Sequence, residues 1–289
     1  MTTVVNDPVA KVSTASPEDM VRGVYGIRLE GLGDMSLLTD VDAGAPRLDV
    51  SFEFGRVADR VEALSEDSAE IALLEGGWLS LRRSGHAHFV LPRATDTEEI
   101  LHPWLVPAAA TFNGWHGRQV LHGGAFCRDG RAVAILGAKE DGKSSALAWL
   151  AGIPGIDVLA DDLVVIDEGT VFSGPRCIDL RPGSAQAVRQ SSAHRLVRDE
   201  SRLRLNLDRC CATATLAGIV VLSWSDGSDV SLEALSPSEG IASLFPHALN
   251  AGRRGWLLDL LEVPIWVLRR PKSWHIMPTM AERLLALLD

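Results

Sequence analysis

Lysine and tyrosine are scarce in this chain, which has four lysines and a single tyrosine among 289 residues. Long apolar runs are missing as well: stretches of the type Leu216–Trp224 fall far short of the roughly 20 residues a membrane span needs. The first twenty residues lack the basic flank, apolar core and small-residue cleavage site of a secretory signal. A soluble, cytoplasmic protein without a membrane partner is therefore expected. There is no basic cluster: 28 Lys plus Arg stand against 38 Asp plus Glu, a net charge of −10. A protein that grips the nucleic-acid backbone needs a positive face, so nucleic acid is excluded as the expected partner. The acidity is uneven, with 10 basic and 18 acidic residues up to Arg118 and 18 and 20 beyond it. The four cysteines, Cys127, Cys177, Cys210 and Cys211, show no C-x-x-C spacing. Adjacent Cys210 and Cys211 suit neither one disulfide nor one zinc ion, and the cysteines read as reduced, buried thiols.

What remains is a globular composition, 46% apolar and 23% charged, ample for one or two cored units. Residues 1–20 carry Pro8, Pro17 and scattered Ser and Thr without periodicity and read as a flexible tail. Residues 21–118 read as a small β-rich domain, because VYGIRLEGL, APRLDVSFEFG, IALLEGGWLSLRR and HAHFVLPRA are short alternating segments separated by turn residues. A hairpin turn is predicted at Glu75–Trp78, and a short helix from Leu105 to Gly114. Residues 119–289 change to the order strand, glycine loop, helix, strand that an α/β nucleotide-binding core requires. Farther on, Leu216–Trp224 is predicted as a buried strand and Ser236-Pro237-Ser238-Glu239 as a capping box opening a helix over Gly240–Leu249. Gly255–Leu261 is predicted helical, PIWVLRR extended, and PTMAERLLALL a terminal amphipathic helix.

The segment Gly137-Ala138-Lys139-Glu140-Asp141-Gly142-Lys143-Ser144 matches G-x-x-x-x-G-K-[ST] in full, between a predicted strand, Ala132–Leu136, and a predicted helix, Lys143–Leu150. In that context backbone N–H groups and the helix N-terminus cradle phosphates, Lys143 neutralises their outer oxygens, and the Ser144 hydroxyl ligates Mg²⁺. Ser145 follows in the same first turn and joins the candidate nucleotide-binding residues. Two of the four lysines, Lys139 and Lys143, sit in this loop. A helix and a turn later, Asp161 and Asp162 stand at the start of an apolar strand. One such carboxylate can hold Mg²⁺ and the other can take a proton from an attacking hydroxyl, and the residues themselves leave open which does which. His122, on the preceding strand, is placed to hydrogen-bond a catalytic carboxylate and tune it.

The run LHGGAFCRDGRAVAILGAKEDGKSSALAWL, followed by VLADDLVVID, resembles the catalytic core of the HPr kinase/phosphorylase superfamily. The likeness is close over Gln119–Asp167 and looser beyond, where RPGSAQAV and PIWVLRRP resemble later elements of short members. It implies an α/β, phosphoenolpyruvate-carboxykinase-like P-loop core and a kinase that uses ATP and Mg²⁺ to phosphorylate a serine hydroxyl. It also implies roles: Asp161 as base for the acceptor hydroxyl, Asp162 at the metal with Ser144, and His122 as partner of the Asp161 carboxylate. Glu140 stands where the family's loop usually has glycine, and the family's phosphorolysis motif is missing around SGPRCIDL, so reverse phosphorolysis is not expected. The layout resembles the short peptide-tailoring kinases of lasso-peptide clusters, which implies a peptide or small-molecule acceptor.

Arg176, Arg181, Arg202, Arg204, Arg253 and Arg254 are candidates to close over a transferred phosphoryl group. Arg204, alternating with Leu203 and Leu205, is expected on the polar face of its strand beside Arg202. His86 and His88 share a strand face without a third metal ligand, and the eight tryptophans read as core or interface. The expected function is thus phosphoryl transfer from ATP to a hydroxyl. Its rivals are a small-molecule kinase on the same fold and a non-catalytic nucleotide-binding regulator or assembly protein. A homo-oligomer stays open.

Overall fold

The computed structural model describes residues 19–57, 60–188, 194–198, 200–208, 210–249 and 256–289. Most of the expected tail and two candidate arginines, Arg253 and Arg254, lie outside the described residues. The described residues fold as a mixed α/β structure with two eight-stranded sheets and a three-stranded one.

The first sheet uses the alternating N-terminal segments. Its strands run in the spatial order Thr39–Asp42, Met20–Val24, Ile27–Glu30, Arg47–Phe54, His86–Leu91, Trp78–Arg82, Ser68–Ala72 and Ala63–Leu64. The hairpin predicted at Glu75–Trp78 joins two of these antiparallel strands, Ser68–Ala72 and Trp78–Arg82. Glu75 and Gly76 both take left-handed φ, +61° and +83°, which makes the reversal tight. Period-two burial lets one face of this sheet pack on the helix Leu105–Trp115. Leu105, Ala108, Ala109 and Phe112 of that helix sit in one apolar cluster with Leu79, Leu81 and Phe89 on one side and Val120, Leu163 and Val165 on the other. The helix therefore belongs to the core of both large sheets. Arg118 ties the same junction, donating to the Gly26 carbonyl and to Asn113 Oδ1, both at 2.8 Å.

The second sheet is built on the strand Gln119–Arg128. On one edge it pairs with Arg131–Leu136, and on the other with Leu163–Asp167 and, farther along, Asp157–Ala160. Arg131–Leu136 also lies parallel to Thr213–Trp224, which pairs with Thr170–Phe172, itself paired to Leu163–Asp167. The pairing thus closes on itself through five strands, while Ile265–Arg270 and Ser231–Ala234 extend it beyond Thr213–Trp224. Strands buried on both faces explain the near-continuous apolar runs AVAIL and LVVI. The third sheet orders Cys177–Leu180, Arg202–Asn206 and His194–Val197.

The capping box forms as expected: the Ser236 amide donates to Glu239 Oε2 at 2.9 Å at the start of the helix Pro237–Leu244. That helix is shorter than the predicted Gly240–Leu249, because Pro246 has no N–H to continue it and a 3₁₀ turn, Phe245–His247, follows. Helix Trp256–Asp259 likewise passes into a 3₁₀ turn, Leu260–Glu262. The terminal helix Met277–Leu285 packs Met277, Met280, Ala281 and Leu284 into a cluster that includes Leu147 and Leu150 of the helix Lys143–Ala151. Among the described residues no helix is long and apolar enough to cross a membrane.

Candidate functional site

Leu136 ends a strand buried from Ala132 onward and Lys143 begins a nine-residue helix, so the six residues between them must turn the chain at the sheet's end. Two of them do so with left-handed backbone, Glu140 at φ +77° and Gly142 at φ +79°. The loop closes on itself: the Ala138 amide donates to Asp141 Oδ2 at 2.6 Å and the Asp141 amide to the Ala138 carbonyl at 3.2 Å. Arg270, at the end of Ile265–Arg270, reaches in from outside and donates to the Asp141 carbonyl. Its guanidinium stacks 4.0 Å over the Trp224 ring, and burial pulls its pKa down to about 10, so it stays a cation at neutral pH.

Lys143 is buried under the loop, its ammonium donating to the carbonyls of Gly137 at 2.8 Å and Ala138 at 3.1 Å. Burial lowers its pKa, and the charges of Asp161, Asp162 and Asp141 resist that shift. Ser144 Oγ donates to Asp161 Oδ1 at 3.1 Å. Ser145, one residue on, points elsewhere and meets Ser184 Oγ at 3.2 Å. Lys139 and Glu140 are exposed on the outer rim. Glu140 turns outward to Arg181 at 2.7 Å, which takes its charge away from the inside of the loop.

Asp161 and Asp162 are neighbours in sequence with different surroundings. Asp161 is buried, and burial together with the adjacent Asp162 charge pushes its carboxyl well above the usual range. Asp162 takes φ +71°, which sends its side chain away from Ser144. Its Oδ2 lies 3.6 Å from His102 Nε2 and 3.9 Å from Arg198 Nη2, and its side chain keeps a third of its surface exposed. Its carbonyl accepts from the Gly123 amide at 3.3 Å and meets His122 Nδ1 at 3.0 Å.

Two sequence-based expectations change here. His122 was expected on the Asp161 carboxylate; it holds the Asp162 main chain instead, because the strand register pairs His122 with Leu163. A carbonyl only accepts, so Nδ1 carries the proton and Nε2 is left with its lone pair in the neutral ring. Burial and the Lys143 charge both lower the His122 pKa, favouring that neutral form. Asp162 was expected beside Ser144; the residue there is Asp161, because the left-handed turn at 162 separates the two carboxylates.

Behind Asp162 lies a buried charged cluster. Arg204, expected on a polar strand face, is wholly buried and grips Asp179 with both ends of its fork, at 2.8 and 3.0 Å. The same guanidinium donates to the carbonyls of Glu98 at 3.2 Å and His102 at 2.6 Å. Arg198 Nε stands 3.0 Å from Asp179, and His102 Nε2 lies 3.7 Å from it. His102 is buried, its Nδ1 has no hydrogen-bond partner among the described residues, and burial lowers its pKa against the pull of Asp179 and Asp162. His102, Asp179, Arg198 and Arg270 were not singled out in the sequence. A histidine inside ILHPWLVP and a carboxylate inside CIDL, each alone in an apolar window, were the available signals.

Of the other candidate arginines, Arg176 is engaged with the Ser36 carbonyl and Arg202 with the Ser201 carbonyl at 3.2 Å. Among the described residues the clusters of three metal-binding side chains are His102, Cys177, Asp179 and Cys127, Asp157, Cys211; His86 and His88 belong to neither.

No protein-family model and no curated protein matches the chain. Among solved structures it is similar to the HPr(Ser) kinase/phosphatase from Coxiella burnetii, with a TM-score of 0.32 and 11% identity over 59% of this chain and 99% of that one.

Proposed function

We propose that the protein is an ATP- and Mg²⁺-dependent phosphotransferase acting on a hydroxyl, with a peptide serine as the acceptor class to test first and a small-molecule alcohol second. The observation that carries this reading is the convergence of Lys143, Ser144 and Asp161 under one glycine loop, with a second, accessible carboxylate, Asp162, next to them. Lys143 and the amides at the N-terminus of Lys143–Ala151, the end where a helix presents its N–H groups, suit the oxygens of a triphosphate. Ser144 and Asp161 offer the hard oxygen donors that Mg²⁺ takes, and a buried carboxyl whose pKa is pushed up is one that a cation would return to its ionised form. When bound there, Mg²⁺ would neutralise charge on the phosphate oxygens.

In this reading the acceptor hydroxyl lies against Asp162, which takes its proton as the oxygen attacks the terminal phosphorus and the bond to the leaving diphosphate breaks. Arg198 and neutral His102 orient the Asp162 carboxylate, and His122 fixes the backbone that carries it. Arg198 is also the cation beside the place where charge develops. Positioning and electrostatics then do the catalysis, as phosphoryl transfer requires.

The test is calorimetric titration of ATP, with and without Mg²⁺, into the wild type and Lys143→Ala, followed by mass spectrometry of serine peptides and small alcohols incubated with MgATP. The expected result is Mg²⁺-dependent binding lost in the variant and a phosphoryl mass gain on a hydroxyl acceptor. Binding without transfer to any acceptor, and with Asp162→Asn indistinguishable from wild type, would favour a nucleotide-binding regulator; no binding would end the reading.

A further inference from the structure

Cys127 and Cys211 are 84 residues apart in sequence, yet their sulfurs meet at 2.8 Å. Cys127 is buried near the end of Gln119–Arg128, in register with Asp157 on one side and Ala132 on the other. Cys211 comes from the segment that leads into Thr213–Trp224 and is half-buried, the less enclosed residue of the pair. We propose that Cys127 and Cys211 are a reversible disulfide site, closed by a peroxide-class oxidant.

The geometry selects both the pair and the chemistry. Cys210, next in the chain, turns its sulfur to the carbonyls of Leu159 and Cys211, at 3.9 and 3.3 Å, and burial pushes its thiol up to about 12. Cys177 is buried in a different cluster, beside His102 and Asp179. A metal shared by Cys127, Cys211 and Asp157 is the competing use of the site. Two thiolates on one tetrahedral zinc stand about 3.8 Å apart, given zinc–sulfur bonds of about 2.3 Å. The observed approach is closer than that, and a shift of about 0.8 Å completes a disulfide. Either thiol can donate in this contact; when Cys127 donates, ionisation of Cys211 is eased, and Cys211 is also the less buried of the two.

The chemistry balances in two steps. The Cys211 thiol gives up its proton, the thiolate attacks a peroxide oxygen, the O–O bond breaks, and sulfenic acid forms while the departing hydroxide takes up that proton as water. Cys127 then attacks the sulfenic sulfur, its proton leaves with the hydroxyl as a second water, and the S–S bond closes. Two thiols are oxidised by two electrons and one hydrogen peroxide is reduced. The bond ties the centre of the large sheet to the start of Thr213–Trp224 and closes a long loop, which restrains the unfolded chain. Asp157, opposite Cys127, stands four residues before Asp161, about 13 Å along a strand, so the link lies away from the Ser144–Asp161 pair. The proposal does not rest on the phosphotransfer reading.

The full chain, reduced and desalted, is treated with hydrogen peroxide and mapped by mass spectrometry under non-reducing conditions, with thermal unfolding in parallel. The expected result is a mass loss of two hydrogens, a peptide pair joining Cys127 to Cys211, and a Tm that rises by several degrees and falls back with dithiothreitol. Cys210→Ser should keep the link and Cys211→Ser should abolish it. A link through Cys210, sulfinic acid at Cys211 with Cys127 still a free thiol, or one zinc bound per reduced chain that blocks peroxide at both thiols would each overturn the proposal. The wild-type map decides the matter even if a variant fails to fold.

Discussion

Ser144 donates its hydroxyl proton to Asp161 at 3.1 Å, and it is the left-handed backbone of the next residue, Asp162, that keeps the second carboxylate off this pair. Two adjacent acids therefore face two different sites, and their substitutions should separate. Asp161→Asn is expected to raise the Mg²⁺ concentration needed for half-maximal turnover. Asp162→Asn should lower kcat by about 10²- to 10⁴-fold, the usual worth of a general base, with the Mg²⁺ requirement and ATP affinity near wild type. Steady-state kinetics across a Mg²⁺ series checks this; identical profiles for the two variants would mean the carboxylates act as one unit.

Arg204 and Asp179 form a buried ion pair, and the guanidinium also donates to two main-chain carbonyls. Removing one partner strands a charge. Arg204→Met alone should cost about 3–5 kcal/mol in urea denaturation, and Arg204→Met combined with Asp179→Leu should recover much of that loss. Equal destabilisation by the single and double variants would show that packing, not charge, sets the cost.

The pH dependence of stability follows from buried histidines and from Asp179. His102, His122 and His247 are each shifted down, chiefly by burial, so below about pH 6.5 the unfolded chain binds protons that the fold refuses. Stability should therefore fall as pH drops below about 6.5. Asp179 acts lower on the scale: burial opposes its ionisation, but Arg204, His102 and Arg198 outweigh burial and hold its pKa down. A depressed acid contributes stability that is present above its unfolded value of about 3.9 and is lost as pH falls through the folded one. Tm measured from pH 8 to 3 should decline in two stages, with Asp179→Asn flattening only the lower stage.

The glycine loop, the helix after it and the pair of acids were legible because each rests on local chemistry: a fixed spacing, a turn, a helix start. The Ser236 capping box and the terminal helix were legible for the same reason. The division of labour between Asp161 and Asp162 was not, since it depends on one φ angle and on strand register. Arg204 was misplaced because alternation with leucine reads as a half-exposed strand, whereas helical residues 97–99 and His102 cover its outer face. His102 and Asp179 meet only through tertiary packing, across 77 residues of chain.

Glu140 occupies a left-handed position, which glycine would take without strain, and it spends its charge on Arg181 at the rim. Its carboxylate is held below the usual range by that arginine. Both side chains are largely exposed, so the pair is weak. Glu140→Gln should change ATP affinity by less than about fivefold. A tenfold or larger gain on neutralisation would mean that the carboxylate swings inward against bound phosphate.

Gly142 is the more demanding position of the loop. A Cβ there would come within 3.2 Å of Arg270 Nη2, and its φ of +79° is strained for any residue with a side chain. Arg270 cannot give way freely, because its guanidinium is held between the Trp224 ring and the Asp141 carbonyl. Gly142→Ala should therefore move the loop rather than the arginine, weakening ATP binding by about tenfold or more with Tm little changed. Arg270→Lys keeps the charge but loses the planar stack, and should weaken binding in the same direction with less effect. If Gly142→Ala bound ATP as wild type does while Arg270→Lys did not, the arginine would be contacting the nucleotide itself instead of bracing the loop.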